Sequence, residues 1–183
     1  MTFPLLTTER LHLRAFRASD AARLQELAAL KEVAQGTLRL PHPYPDGTAH
    51  AWIADQQREF EAGASINFAI VLKVEEILIG AIGLDFVPEH RHARLGYWLG
   101  RPYWNKGYAT EAVTAVIEYG FTLPHVQRIY AGLFSDNPAS ARVLQKAGMT
   151  YEGRLREHYV RFGETMDLEL YGILRRSSNQ GES

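Results

Sequence analysis

Apolar and polar positions along the chain switch between a period of two and a period near three and a half, and each switch marks an element. Over residues 10–16, Leu11, Leu13 and Ala15 alternate with His12 and Arg14, which predicts a half-buried strand. Ser19-Asp20 then opens a helix with the stripe Leu24, Leu27, Ala28 and Val33. Pro41, Pro43 and Pro45 forbid a helix over 40–47 and predict a stiff surface loop. A second helix is expected from Thr48 to about Ala62, with Trp52, Ile53 and Phe60 inward. Residues 67–73 and 76–87 are apolar and rich in branched side chains, and read as strands joined by a short hairpin. Residues 93–100 give a further strand.

The second half is patterned as clearly. Ala109, Ala112, Val113, Val116, Ile117, Gly120 and Phe121 recur at helical spacing. A strand over 128–134 precedes Asp136-Asn137-Pro138, a cap followed by proline at the first helical position. Lys146-Ala147-Gly148 stops that helix. Residues 151–162 and 164–174 form a closing hairpin around Gly163. The predicted order is β-α-α-β-β-β-α-β-α-β-β, a mixed α+β (α/β) sheet with helices on its faces. No repeat or linker divides the chain, so a single domain over 1–183 is expected, with a polar tail that frays.

Composition narrows the function classes. The 183 residues suffice for one core, and 46% hydrophobic with 22% charged residues is ordinary for a globular protein. A net charge of −1 offers no broad basic field, so a nucleic-acid partner is not expected. The absence of cysteine excludes disulfides, thiolate metal sites and a cysteine nucleophile. The seven histidines lack ligand spacing on a helix, and no metal is expected. The N-terminus lacks a signal-peptide pattern, and no apolar run approaches the roughly 20 residues that cross a bilayer. A cytoplasmic protein without a membrane partner is therefore expected.

Two segments carry candidate chemistry. Tyr97 to Ala112 reads as strand, turn and helix start, and the free N–H groups of a helix start can seat an anion. Gly107 allows close approach of a ligand, with Lys106 and Thr110 on the same turn, though a plain strand-to-helix turn has the same pattern. No Walker run and no Gly-x-Gly-x-x-Gly is present, which argues against nucleoside triphosphates and dinucleotides. In the second segment, 137–149, Ser140 shares the inward stripe with Val143, Leu144 and Ala147. That hydroxyl either bonds the backbone one turn back or faces a ligand. Arg142 and Lys146 lie one turn apart, as a solvated face or a phosphate clamp.

Together, Leu95-Gly96-Tyr97-Trp98-Leu99, Asn105-Lys106-Gly107-Tyr108-Ala109-Thr110-Glu111-Ala112, Asn137-x-x-Ser140 and Lys146-x-Gly148-Met149 resemble the GNAT superfamily of acyl-CoA N-acyltransferases. Within it they are similar to the RimJ/RimL-like branch of ribosomal-protein N-terminal acetyltransferases. Thr8-Glu9-Arg10-Leu11-x-Leu13-Arg14, Leu40-Pro41-His42-Pro43-Tyr44 and Glu152-Gly153-x-Leu155-Arg156-Glu157 match that branch too. The resemblance spans residues 7–175 and leaves 176–183 as a polar tail. It implies a central, mostly antiparallel, twisted sheet of about seven strands flanked by about four helices.

It also implies acetyl-CoA as cosubstrate. The pyrophosphate would sit on the backbone of Asn105, Lys106, Gly107, Tyr108, Ala109 and Thr110. The pantetheine arm would pair near Trp98, Leu99 and Gly100, with Asn137, Ser140 and Arg142 facing it. Two positions depart from the superfamily: Trp104 replaces a glutamine or arginine, and Leu144 replaces a tyrosine acid. Ser140 then becomes the candidate acid and Glu157 the candidate base, with Asp85, Glu89 and Glu152 as rivals. His42, Tyr44 and Trp52 would line the acceptor pocket. The implied reaction is direct acetyl transfer to a primary amine, here a protein N-terminal α-amine of ribosomal type. A small-molecule amine (amino acid, antibiotic, polyamine) or a non-catalytic acyl-CoA binding module are the alternatives. Monomer and homodimer both fit.

Overall fold

A computed structural model describes residues 2–175. The elements are β1 (Leu6–Thr7), β2 (Leu11–Arg14), α1 (Ala21–Ala28), α2 (Lys31–Gln35), α3 (Thr48–Glu61), β3 (Ser65–Leu72), β4 (Leu78–Val87), β5 (His92–Leu99), α4 (Tyr108–Thr122), β6 (Arg128–Phe134), α5 (Pro138–Lys146), β7 (Thr150–Arg161) and β8 (Glu164–Leu174). They build the expected mixed sheet, in the order β1-β2-β3-β4-β5-β6-β8-β7. Every neighbouring pair is antiparallel except β5 and β6.

Two elements exceed the expected seven strands and four helices. β1 is two residues long, too short for any periodic signal, and pairs Leu6 with Leu13. The first predicted helix is two helices. Leu30 leaves the helix in an extended conformation, and its carbonyl accepts from the N–H groups of Val33 and Ala34 to restart it. No glycine or proline marks this break. The predicted tail over 176–183 lies outside the described residues.

The alternation of β3 divides the core. Ile66, Phe68 and Ile70 face α4, where Val113, Val116 and Ile117 bury the stripe read from the sequence. Ala69 and Val71 face the opposite layer, against Ala21, Leu24 and Ala28 of α1 and Ala49 of α3. Each fully buried large apolar side chain contributes about 1.5–3 kcal/mol.

One irregularity matters for function. β5 and β6 pair only at His92↔Arg128, Ala93↔Ile129 and Arg94↔Tyr130. β6 continues along β8 to Phe134, while β5 continues along β4 to Leu99. Beyond Arg94 the two strands therefore diverge, and the sheet opens between them.

Candidate active site

Two cavities, the first of about 340 Å³ and the second of about 330 Å³, meet at this opening and share Gly36, Thr37, Tyr97, Trp98 and Ser140. At the junction the Tyr97 hydroxyl and Ser140 Oγ lie 2.6 Å apart in a hydrogen bond. Ser140 reaches it because Asn137 starts α5 there: the Asn137 side chain accepts from the Ser140 N–H at 3.1 Å, and Pro138 occupies the first helical position. Asn137 also donates to the Gly36 carbonyl at 3.4 Å, tying α5 to the end of α2 across the cleft. Burial pushes the Tyr97 phenol up to about 12, against a smaller opposing effect from Ser140. Tyr97 therefore keeps its proton throughout the neutral range. Leu144 lies buried on the same helix and offers no polar group.

The wall of the first cavity is the turn that the sequence offers as an anion seat. Asn105 (φ 59°) and Gly107 (φ 83°) are both left-handed and double the chain back into α4. The first intrahelical bond is Glu111 N–H to the Gly107 carbonyl, so the amides preceding it have no partner within the helix. Asn105, Gly107, Tyr108, Ala109 and Thr110 line this cavity, with Trp98, Leu99, Asn137 and Ser140. Arg142 and Lys146 face them from α5. Free helix-start amides opposite two cations suit an anionic ligand.

Strand geometry fixes which backbone faces the opening. The Gly100 N–H donates to the Ile79 carbonyl on the β4 side. By alternation the backbone groups of Tyr97 and Leu99 point the other way. Trp104, at the position of the missing glutamine or arginine, donates its indole N–H to the Leu99 carbonyl at 2.7 Å and locks the strand end. Gly100 and Lys106 line neither cavity. A Cβ on Gly100 would meet Leu27, and Lys106 Nζ lies 5.9 Å from the Tyr103 ring centroid.

The second cavity lies on the α1–α3 face. Gly83 and Gly96 pair across β4 and β5. A Cβ on Gly83 would strike the Asn67 side chain, whereas one on Gly96 meets nothing within 4 Å. Asn67 donates to Gln56 Oε1 (2.7 Å), and Gln56 donates to the Trp52 carbonyl (2.9 Å). Of the three residues offered for an acceptor pocket, Tyr44 and Trp52 line this cavity; His42 does not, its ring lying edge-on to Phe162 at 6.0 Å.

Three carboxylates line the second cavity, and each is engaged. Asp85 Oδ2 accepts from Arg94 (2.9 Å) and from Arg39. Burial raises the Asp85 carboxyl, Arg39 opposes the rise, and Glu59 adds to it. Glu59 accepts from the Ser65 hydroxyl at 2.6 Å, and Asp55 pairs with Arg58. Glu157, Glu89 and Glu152 line neither cavity. Glu157 is exposed, left-handed (φ 51°), in an irregular stretch of β7 where its N–H donates to Asp167 at 2.7 Å. Glu152 pairs with Arg128.

Most residues lining the first cavity are legible in the sequence, whereas the partner of Ser140 is not. Tyr97 stood in the strand pattern, but nothing linked it to a serine 43 positions on. The Asn67–Gln56 and Asp85–Arg94 pairs gave no periodic signal either. Among the described residues no helix is long and apolar enough to cross a membrane, and no cluster of His, Asp and Glu could hold a metal.

Comparisons with known proteins agree with this geometry. The acetyltransferase (GNAT) domain family matches residues 10–150. YoaA of Bacillus subtilis, an uncharacterized N-acetyltransferase, is 32% identical over 174 residues, covering 94% of this chain and 98% of that protein. The ribosomal protein uS5 alanine N-acetyltransferase of Escherichia coli is 30% identical over 171 residues, covering 88% and 86%. The solved structure of RimL, the ribosomal L7/L12 α-N-protein acetyltransferase, in complex with coenzyme A superposes with a TM-score of 0.86 at 19% identity, covering 93% and 98%.

Proposed function

This chain belongs to the GNAT acetyltransferase family and is an acetyl-CoA-dependent N-acetyltransferase, and from that premise we propose that its acceptor is the α-amine at the N-terminus of a protein or peptide. Acetyl-CoA brings the acetyl group as a thioester. Arg142, Lys146 and the free amides of Asn105 and of Gly107 to Thr110 would hold its pyrophosphate, and the Tyr97 and Leu99 backbone its pantetheine arm. The acceptor enters by the second cavity and meets the donor at Tyr97 and Ser140.

The reaction forms a carbon–nitrogen bond, breaks the carbon–sulfur bond, and moves one proton off the amine and one to the sulfur. For the sulfur, Ser140 is the donor. With the Tyr97 phenol donating to Ser140 Oγ, the serine hydrogen is free to point at the departing sulfur. The pair supplies the donor that Leu144 lacks.

The state of the acceptor-cavity carboxylates carries the choice of amine. Asp85 and Asp55 are each ion-paired to arginine and Glu59 accepts the Ser65 hydroxyl, so the cavity presents little uncompensated negative charge for a polycation and no unengaged carboxylate to serve as a strong base. An α-amine, with a pKa near 8, is roughly 20% neutral at pH 7.4, while a lysine-type amine near 10.4 is roughly 0.1% neutral. The α-amine therefore needs the least help. Asp85, whose Oδ1 has no hydrogen-bond partner among the described residues, orients the incoming amine through that oxygen. The 30% identity to the uS5 alanine enzyme supports an acceptor of ribosomal-protein type.

The test is release of free thiol from acetyl-CoA with peptides of varied N-terminus, the same peptides blocked at the N-terminus but carrying lysine, free amino acids and a polyamine. Turnover of the unblocked peptides alone supports the proposal. Turnover confined to amino acids or polyamine overturns it.

A further inference from the structure

We propose that Arg10 and Glu111 form a strut beneath the anion-seating turn, so that Arg10 sets the affinity for the phosphate-bearing donor without touching it. This rests on the donor-side assignment above and adds a positioning residue to it. Thr8-Glu9-Arg10 matched the family pattern, yet the site gives these residues no role: Arg10 lines neither cavity.

The hydrogen bonds supply one. Glu111 stands in the first turn of α4. Its Oε1 accepts from the Thr8 hydroxyl (2.6 Å) and from the Arg10 N–H (2.7 Å). Its Oε2 takes the Arg10 guanidinium through Nε and Nη2, each at 2.7 Å. Arg10 Nη1 donates onward to the Lys106 carbonyl at 2.9 Å, and the guanidinium lies 4.6 Å from the Tyr108 ring centroid. Arg10 thus joins both ends of the turn, Lys106 before Gly107 and Glu111 after it.

Peptide geometry converts that bond into a donor-site property. The Lys106 carbonyl and the Gly107 N–H belong to one planar trans peptide and point in opposite directions. Holding the carbonyl down on Arg10 holds the Gly107 N–H up, and Gly107 lines the donor cavity. The turn needs such support, because Asn105 is a left-handed residue that is not glycine. Burial acts to raise the Glu111 carboxyl, but bonds from Thr8 and Arg10 outweigh it and hold it low, so Glu111 stays charged. A lysine cannot copy the fork, since one ammonium does not span Glu111 and the Lys106 carbonyl together.

The experiment compares the affinities of the wild type, Arg10→Ala, Arg10→Lys and Glu111→Gln for coenzyme A and for pantetheine, which lacks the pyrophosphate, together with KM for the amine. All three variants are expected to bind coenzyme A about tenfold more weakly. Pantetheine affinity and amine KM stay within about twofold. Arg10→Ala matching the wild type for coenzyme A, or losing pantetheine and amine affinity by the same factor, overturns the strut. If Arg10→Ala does not fold, Glu111→Gln is judged by the same criteria. A wild type that never releases thiol from acetyl-CoA would instead overturn the reading of the function.

Discussion

The Tyr97 hydroxyl lies 2.6 Å from Ser140 Oγ, joining the parallel-paired strand β5 to the first turn of α5 at the point where both cavities meet. Ser140→Ala and Tyr97→Phe are each expected to lower kcat by about 10–100-fold, within the range for a positioned proton donor. The double variant falls little below Ser140→Ala, because the two hydroxyls act as a unit. Coenzyme A affinity changes less than about twofold in each. Single-turnover kinetics with calorimetric binding checks this; a loss confined to binding would remove the pair from the chemistry.

Gly107→Val tests the anion seat. The position is left-handed at φ 83°, which costs a branched residue about 1–3 kcal/mol, and its new Cβ would press on Arg10. Coenzyme A binding is expected to fall at least about tenfold with circular dichroism unchanged. Affinity equal to the wild type would refute the seat.

Gly96→Ala tests the acceptor side. A Cβ there meets open space, so the fold loses nothing and the second cavity shrinks. KM for the amine is expected to rise several-fold at unchanged coenzyme A affinity, with a larger effect for Gly96→Val. A rise in coenzyme A Kd instead would mean that the two cavities are wrongly assigned.

Acid stability depends on Asp20. Burial acts to raise its carboxyl, but hydrogen bonds from Arg14 and the Arg17 N–H, with both guanidinium charges, bring it below its ordinary value. A carboxyl depressed on folding adds stability above its unfolded pKa near 4, and this is lost as pH falls through the lower folded value. Asp20→Asn leaves Arg14 half-buried without its partner and is expected to cost about 2–4 kcal/mol at pH 7. The gap between the two proteins narrows below about pH 4 in urea unfolding. A gap that is constant down to pH 2 contradicts the assignment.

The sequence was most legible where one physical signal ruled. The stripe of α4, the cap at Asn137 and the turn at Gly163 all lie where the pattern put them. Leu30 is not legible, because no breaker residue marks it: the break is an extended backbone at an ordinary leucine whose carbonyl restarts the helix. In the site, the helix-start amides could be read from turn chemistry alone. The Tyr97–Ser140 and Arg10–Glu111 contacts could not, since each joins residues far apart in the chain through geometry that has no period. Glu157 shows the converse: a local motif matched, but the register shift between Leu155 and Tyr159 places the residue outside both cavities.

Three rungs hold β5 to β6. The sheet is therefore two slabs, β1 to β5 and β6 to β8, sharing a short seam that half unzips by construction. A pantetheine arm lying along the Tyr97 and Leu99 backbone would add amide rungs where the seam lacks them, and cosubstrate would then be part of the scaffold. At a hundredfold excess over Kd, such binding adds about 2.7 kcal/mol to the folded state. Purified apoprotein and donor-loaded enzyme would then differ in stiffness as well as in readiness to react, with the change centred on the strand that carries Tyr97.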